Sequence, residues 1–174
     1  KASTDATDET RNAIYMMRKH PDGSWKILAS HFYGSDGDAG SISAEDLASI
    51  NQIITGWNAA LAIGEELTTK HMDAFAALHS PQAIEIFSNE ISNIGLPNLR
   101  SRWDEYTGAK MEKNSLGLLG IEGIGRRAVA WGIGNQNFYL KGSAELQEYE
   151  FPWVMILTKE KDDAWRILAT HWGN

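Results

Sequence analysis

Acid–base chemistry in this 174-residue chain must come from its five histidines, its 23 Asp and Glu residues, or both. It contains no cysteine, which removes thiol nucleophiles, thiolate metal sites and disulfides together. His171 is the leading imidazole. By strand parity it shares a side with Trp165, Ile167 and Ala169, as His31 does with Trp25, Ile27 and Ala29, so each ring is expected beside an apolar row. An imidazole that titrates near neutrality and lines a cavity serves as a general acid or base. Tied to a neighbouring loop by a hydrogen bond, the same residue is structural. Carboxylates abstract protons beside a carbonyl when an apolar pocket raises their pKa. Glu85 lies in a short apolar run, and Glu148 and Glu150 share strand parity with Val154 and Ile156, a pattern that a solvated sheet face explains as well. The catalytic set expected is therefore His171, Glu85 and Glu150.

An apolar pocket for such groups has ample material. The chain carries seven tryptophans, of which Trp57, Trp103, Trp131 and Trp153 are expected to meet inside, with Phe75 and Phe87 completing a ligand-binding lining. Core filling is the ordinary role of any one of them. Cofactor chemistry is not expected. The glycines at 117, 120, 123 and 125 lack the strand-loop-helix setting of a dinucleotide fingerprint, and neither a P-loop nor a Gly-x-Ser-x-Gly elbow occurs. His20, His31, His71, His79 and His171 are not spaced as metal ligands, so no metal is expected.

Composition narrows the partners. With 43% apolar and 22% charged residues the chain belongs with globular proteins able to bury one good core. A formal charge of −7 and a pI near 5.2 argue against nucleic acid, which needs a concentrated basic face. No apolar run reaches bilayer length and residues 1–10 are polar, so neither a membrane span nor a signal peptide is expected. The absence of cysteine suits a reducing or an oxidising compartment equally.

The elements that must position these residues follow from period and punctuation. Residues 1–10 are expected to be a disordered tail. Runs at 12–19 and 25–33 flank His20-Pro21-Asp22-Gly23-Ser24 and read as a β-hairpin, followed by a Gly/Asp linker to residue 40. A helix starts at Ser43, with Asp46 completing a short capping box, and Leu47, Ile50, Ile54, Trp57 and Leu61 form its stripe. A second helix is predicted over 67–79, with Met72, Phe75, Ala76 and His79 on one side, then a strand over 83–87. Pro97 opens a third helix whose buried face carries Leu96, Leu99, Trp103 and Tyr106. Strands over 114–124, 126–139, 146–159 and 164–172 follow, with glycines dense enough in the first two to predict bulges and strong bending. Three helices on one face of a strongly curved antiparallel sheet make an α+β domain, preceded by an extra β-hairpin.

One word is written twice. Trp25-Lys26-Ile27-Leu28-Ala29-Ser30-His31 returns as Trp165-Arg166-Ile167-Leu168-Ala169-Thr170-His171, 140 residues later, and the register holds upstream through Ile14 and Val154. That period is the size of a domain rather than of a solenoid repeat. The chain reads as a tail of one domain, 11–40, followed by a whole one, 41–174.

The segments Trp57-Asn58-Ala59-Ala60-Leu61, Leu96-Pro97-Asn98-Leu99-Arg100 through Trp103, and Lys159 through Trp165-Arg166-Ile167 to His171 resemble, in order and spacing, the NTF2-like superfamily. The nearest branch is SnoaL-like and ketosteroid-isomerase-like, and the resemblance spans residues 43–174. It implies a cone-shaped α+β barrel, frequent homodimerisation through the sheet, and a pocket for a small hydrophobic molecule. In some members it also implies cofactor-independent isomerisation, cyclisation or dehydration; the alternative is a non-catalytic module for dimerisation or partner binding. Glu85 matches the isomerase carboxylate in order only, and the isomerase Tyr and Asp oxyanion pair has no counterpart. Where SnoaL-like sequences carry Arg and Thr on the third long strand, this chain has Pro152 and Val154, which favours an apolar pocket. Residues 11–33 resemble the closing hairpin of the same domain type, either as part of a tandem protein or as an extension docked on a sheet edge.

Overall fold

The structure, a computed structural model, describes residues 12–19, 25–33, 42–61, 63–87 and 90–173, with the backbone alone described at 12–19, 25–33, 87 and 90–93. The tail expected over 1–10 and the linker expected over 34–40 lie outside the described residues. The chain divides into two compact units, Lys1–Gly40 and Ser41–Asn174. In the first, β1 (Asn12–Lys19) and β2 (Trp25–Tyr33) pair antiparallel as a two-stranded sheet, with one register shift between Met16 and Met17.

The second unit runs α1 (Ala44–Ala60), α2 (Thr69–Ala76), β3 (His79–Phe87), β4 (Glu90–Ile94), α3 (Leu96–Asp104), β5 (Lys110–Ile124), β6 (Arg127–Tyr139), β7 (Leu146–Lys159) and β8 (Trp165–Trp172). The start of α1 is fixed as its sequence implies: the Ser43 hydroxyl accepts from Asp46 N–H at 3.0 Å. Its stripe is rotated slightly from expectation. Ile50, Ile53, Ile54, Trp57 and Ala60 are buried, while Leu47 is exposed. Helix α2 stops short because His79 already belongs to β3, and Pro81, which cannot donate to a ladder, sits where the pairing of β3 with β8 is interrupted between His79 and Ile84.

The six strands are ordered β4-β3-β8-β7-β6-β5. All neighbours are antiparallel except β3 and β8, so the curved sheet is antiparallel with one parallel joint. Curvature has the expected source. Register shifts interrupt β5 opposite β6 at 111–113 and 118–120. Gly132 lets β6 bend against its neighbours, since a Cβ there would collide with the Gly117 carbonyl and the Trp153 indole. Three helices covering one face of a bent sheet give an α+β cone.

Alternation along the strands defines two faces. The inner face, under the helices, carries Trp153, Met155 and Leu157 of β7, Ala128 and Ala130 of β6, and Trp165, Ile167 and Trp172 of β8, all in one core with Ile50, Trp57, Phe75, Leu99 and Trp103. Strand β8 changes parity midway. Ile156 pairs with Ala169 but Leu157 pairs with Ile167, leaving Leu168 as an extra residue. Beyond that bulge Thr170 and Trp172 stand opposite the inner-face Met155 and Trp153, while Ala169 and His171 stand opposite Ile156 and Val154 on the outer face.

Candidate functional site

The bulge decides which titratable groups face the helices. His171 is buried, but on the outer side of the sheet, beside Ile86 on β3 and Val154 on β7. The parity that aligns it with Trp165 and Ile167 in the sequence is cancelled by Leu168. Glu85 is buried on the inner face, register-paired with Thr170. The two are thus not brought together. Glu150 is exposed at the outer face opposite Asn135, and Glu148 accepts from Asn137 Nδ2 at 3.0 Å on the same side. Neither reaches the interior.

The aromatic residues divide likewise. Trp57, Phe75, Trp103 and Trp172 pack together inside, with ring centroids 4.0 Å apart for Trp57–Phe75, 4.4 Å for Phe75–Trp103 and 4.6 Å for Trp57–Trp172. Trp153 is buried on the same face. Trp131 is not part of this group. It lies on the outer face, its indole resting over Gly120, where a Cβ would fall 2.8 Å from Cε2. The side chain of Phe87 lies outside the described residues.

Glu85 sits between an indole and a guanidinium. The Trp172 indole Nε1–H donates to its Oε1 at 3.2 Å, and Arg102 Nε of α3 stands 3.6 Å from Oε2. Tyr106, just beyond α3, completes the group. Burial pushes its phenol above the ordinary value; the Arg102 charge opposes that and the Glu85 charge reinforces it. Phe138 lies 6.0 Å from Tyr106 and 5.8 Å from Tyr149, and Phe151 lies 5.8 Å from Trp172. The arrangement offers an ionisable carboxylate, a guanidinium and a phenol against an aromatic wall.

Sequence reading placed His79 on the buried side of α2 but gave it no role. It is the imidazole that enters the interior, 4.7 Å from Trp103 and 5.1 Å from Phe75 between ring centroids. Its Nδ1 lies 2.9 Å from the Phe75 carbonyl, and a carbonyl only accepts, so Nδ1 carries the proton. Burial drives its pKa down to about 4, so the ring is neutral at neutral pH. Its Nε2 is buried and makes no hydrogen bond among the described residues, and the same holds for Trp57 Nε1 and Trp153 Nε1. Helix-ending residues close to a strand start were the available signal. Among the described residues no group of three or more His, Asp or Glu is gathered as a metal site, and no helix is long and apolar enough to cross a membrane.

No protein-family model and no curated protein matches the sequence. Solved structures do. An NTF2-like protein of unknown function from Pseudomonas putida superposes with a TM-score of 0.57 at 15% identity, covering 76% of this chain and 88% of that one. A ketosteroid isomerase-like protein from Erwinia carotovora atroseptica gives 0.56 at 10% identity over 73% and 91% of the two chains. A protein from Catenulispora acidiphila, solved in complex with S-DNPA, gives 0.59 at 12% identity over 75% and 94%. At these identities the likeness is one of fold. The α+β cone of residues 41–174 is an NTF2-like fold.

Proposed function

We propose that residues 41–174 bind a small, largely apolar molecule between the helices and the inner face of the sheet, with Glu85 exchanging a proton with it. The observation that carries this reading is a buried carboxylate placed on a largely apolar, aromatic face. Carboxylates are seldom buried without a purpose, and groups tuned for proton transfer sit in such surroundings. The buried Nε2 of His79 and Nε1 of Trp57, without hydrogen-bond partners among the described residues, point the same way. A ligand hydroxyl or carbonyl would satisfy polar atoms that are otherwise costly to bury. The Catenulispora protein of the same fold was solved in complex with S-DNPA. Arg102 and Tyr106 then orient the polar end of the ligand, and Glu85 serves as the acid or base of an isomerase-, cyclase- or lyase-type reaction that requires no cofactor. His171 and Glu150 take no part, because they face the other way.

Screening small hydrophobic ketones and phenols by ligand-observed NMR, with intrinsic tryptophan fluorescence as the second signal, tests the reading. Glu85→Gln should keep the affinity of a hit within a few-fold and slow exchange of its acidic C–H with solvent deuterium by on the order of 100-fold. His171→Ala should change neither. Equal exchange rates in wild type and Glu85→Gln would reject Glu85 as the proton acceptor.

A second reading, association of two copies through the sheet, is favoured by exposed Leu119, Ile124 and Ile133 on β5 and β6. Sedimentation equilibrium of wild type and Ile133→Asp distinguishes it: a dimer that dissociates in the variant supports association there, and a monomeric wild type removes it.

A further inference from the structure

The two hairpins of this chain share more than a word. In β1 and β2 the pairs inward of Asn12↔Tyr33 are Ala13↔Phe32, Ile14↔His31, Tyr15↔Ser30, Met16↔Ala29, Met17↔Ile27, Arg18↔Lys26 and Lys19↔Trp25. In β7 and β8 they are Trp153↔Trp172, Val154↔His171, Met155↔Thr170, Ile156↔Ala169, Leu157↔Ile167, Thr158↔Arg166 and Lys159↔Trp165. Each of these seven pairs of the first set becomes a pair of the second on adding 140 to both numbers; the outermost pair of the first hairpin, Asn12↔Tyr33, has no ladder counterpart in the second. The bulge coincides too, with Leu28 the extra residue in one hairpin and Leu168 in the other. Equal loop lengths would match the register near the turn, but they place no bulge. A bulge is a specific insertion that re-aims every residue beyond it, so its coincidence marks the same structural part.

That part does not stand alone in the second unit. There β8 pairs along its other edge with β3, in parallel, and β7 pairs along its other edge with β6, antiparallel. Strands β1 and β2 form a two-stranded sheet, with neither outer edge paired to a strand among the described residues. A lone hairpin is marginally stable, and two free edges invite pairing.

We infer that Asn12–Tyr33 is the closing hairpin of a second NTF2-like cone, whose remaining elements are a stretch of this same protein preceding Lys1 and as long as residues 41–151. That stretch supplies a β3-like strand running parallel to β2, a β6-like strand antiparallel to β1, and helices over one face. The partner is set by strand direction on each edge: a single added strand or a second copy of β7 and β8 would match one edge at most. The inference is independent of what the second unit binds.

Two measurements decide it. Peptide mapping and intact mass of the protein taken from its source cells should reveal sequence ahead of Lys1 with an α1-to-β6 pattern; a native N-terminus at Lys1 or a few residues before it overturns the inference. The second measurement grafts residues 12–33 in place of 152–173 within residues 41–174, a unit that spans 88–94% of each of the three solved chains compared above. The graft is made both unchanged and with Ala13→Trp and Phe32→Trp, which restore the core indoles. At least one graft should show the far-ultraviolet dichroism of residues 41–174 and one cooperative urea transition. If both grafts stay unfolded while residues 41–174 fold, the hairpin is not a cone-closing part.

Discussion

Replacing His79 with phenylalanine should remove a steep loss of stability on mild acidification. The native ring titrates at about 4, against 6.5 when exposed, because burial penalises its charged form. Between those values the unfolded chain binds a proton that the native protein refuses, so acid favours unfolding. This contribution is fully present above pH 6.5 and is lost as the pH falls from 6.5 towards 4. At 1.36 kcal/mol per unit the whole displacement is worth about 3 kcal/mol, of which about 2 kcal/mol is lost between about pH 7 and about pH 4.5. Urea unfolding followed by tryptophan fluorescence at those two pH values, in wild type and His79→Phe, isolates the term. Phenylalanine also removes one donor from the Phe75 carbonyl, which still accepts from Leu78 N–H at 3.2 Å; the loss of about 0.5–1.5 kcal/mol is the same at every pH and cancels in the pH difference. Wild type should lose about 2 kcal/mol more than the variant on acidification. Equal losses, to within about 0.5 kcal/mol, would show that His79 is not a buried neutral ring and would refute the reasoning.

Three further perturbations test other joints of the second unit. Asp46 receives hydrogen bonds from Lys159 Nζ at 2.8 Å and Trp165 Nε1 at 2.8 Å, and these, Lys159 first, hold its pKa at about 2. Its stabilisation is present above its unfolded value of 3.8 and fades as pH falls towards 2, so Asp46→Asn should lower the unfolding free energy measured in urea by about 1 kcal/mol at neutral pH and much less in strong acid. Gly120→Ala should destabilise by about 1–3 kcal/mol because its methyl meets the Trp131 indole, and Trp131→Leu should recover part of that in a double-mutant cycle. Trp172→Phe removes a donor from the buried Glu85 carboxylate and should cost about 1–3 kcal/mol by thermal or chemical unfolding; no change would mean Glu85 is hydrated.

The fold was legible wherever local chemistry and period agreed. Ser43 and Asp46 announce α1, Pro97 opens α3, and long apolar runs separated by Gly- or Asp-rich turns mark β5 to β8. Strand β4 was missed because its polar residues, Glu90 and Asn93, show little alternation and its identity rests on pairing with β3. The parallel joint of β3 and β8 is a long-range choice that no local pattern encodes. The site was half legible. Glu85, Trp57, Phe75, Trp103 and Trp153 do lie on the inner face or its helices, whereas Trp131 and His171 do not. For Trp131 the two apolar faces of the sheet look alike in the sequence. For His171 the error is exact: alternation counts residues, and Leu168 adds one that the ladder does not.

A single leucine thus chooses which ring the last strand offers to the interior. With Leu168 bulged out of the ladder, an indole that can only donate a hydrogen bond stands beside Glu85. A chain of the same length in which Leu168 paired regularly opposite Ile156 would turn the final residues over and present the imidazole of His171 to the same carboxylate, with strand order and helices unchanged. Two proteins of this shape could then superpose closely and still differ in whether a carboxylate–imidazole pair exists at all, so the chemistry of the scaffold is inherited through its irregularities more than through its outline.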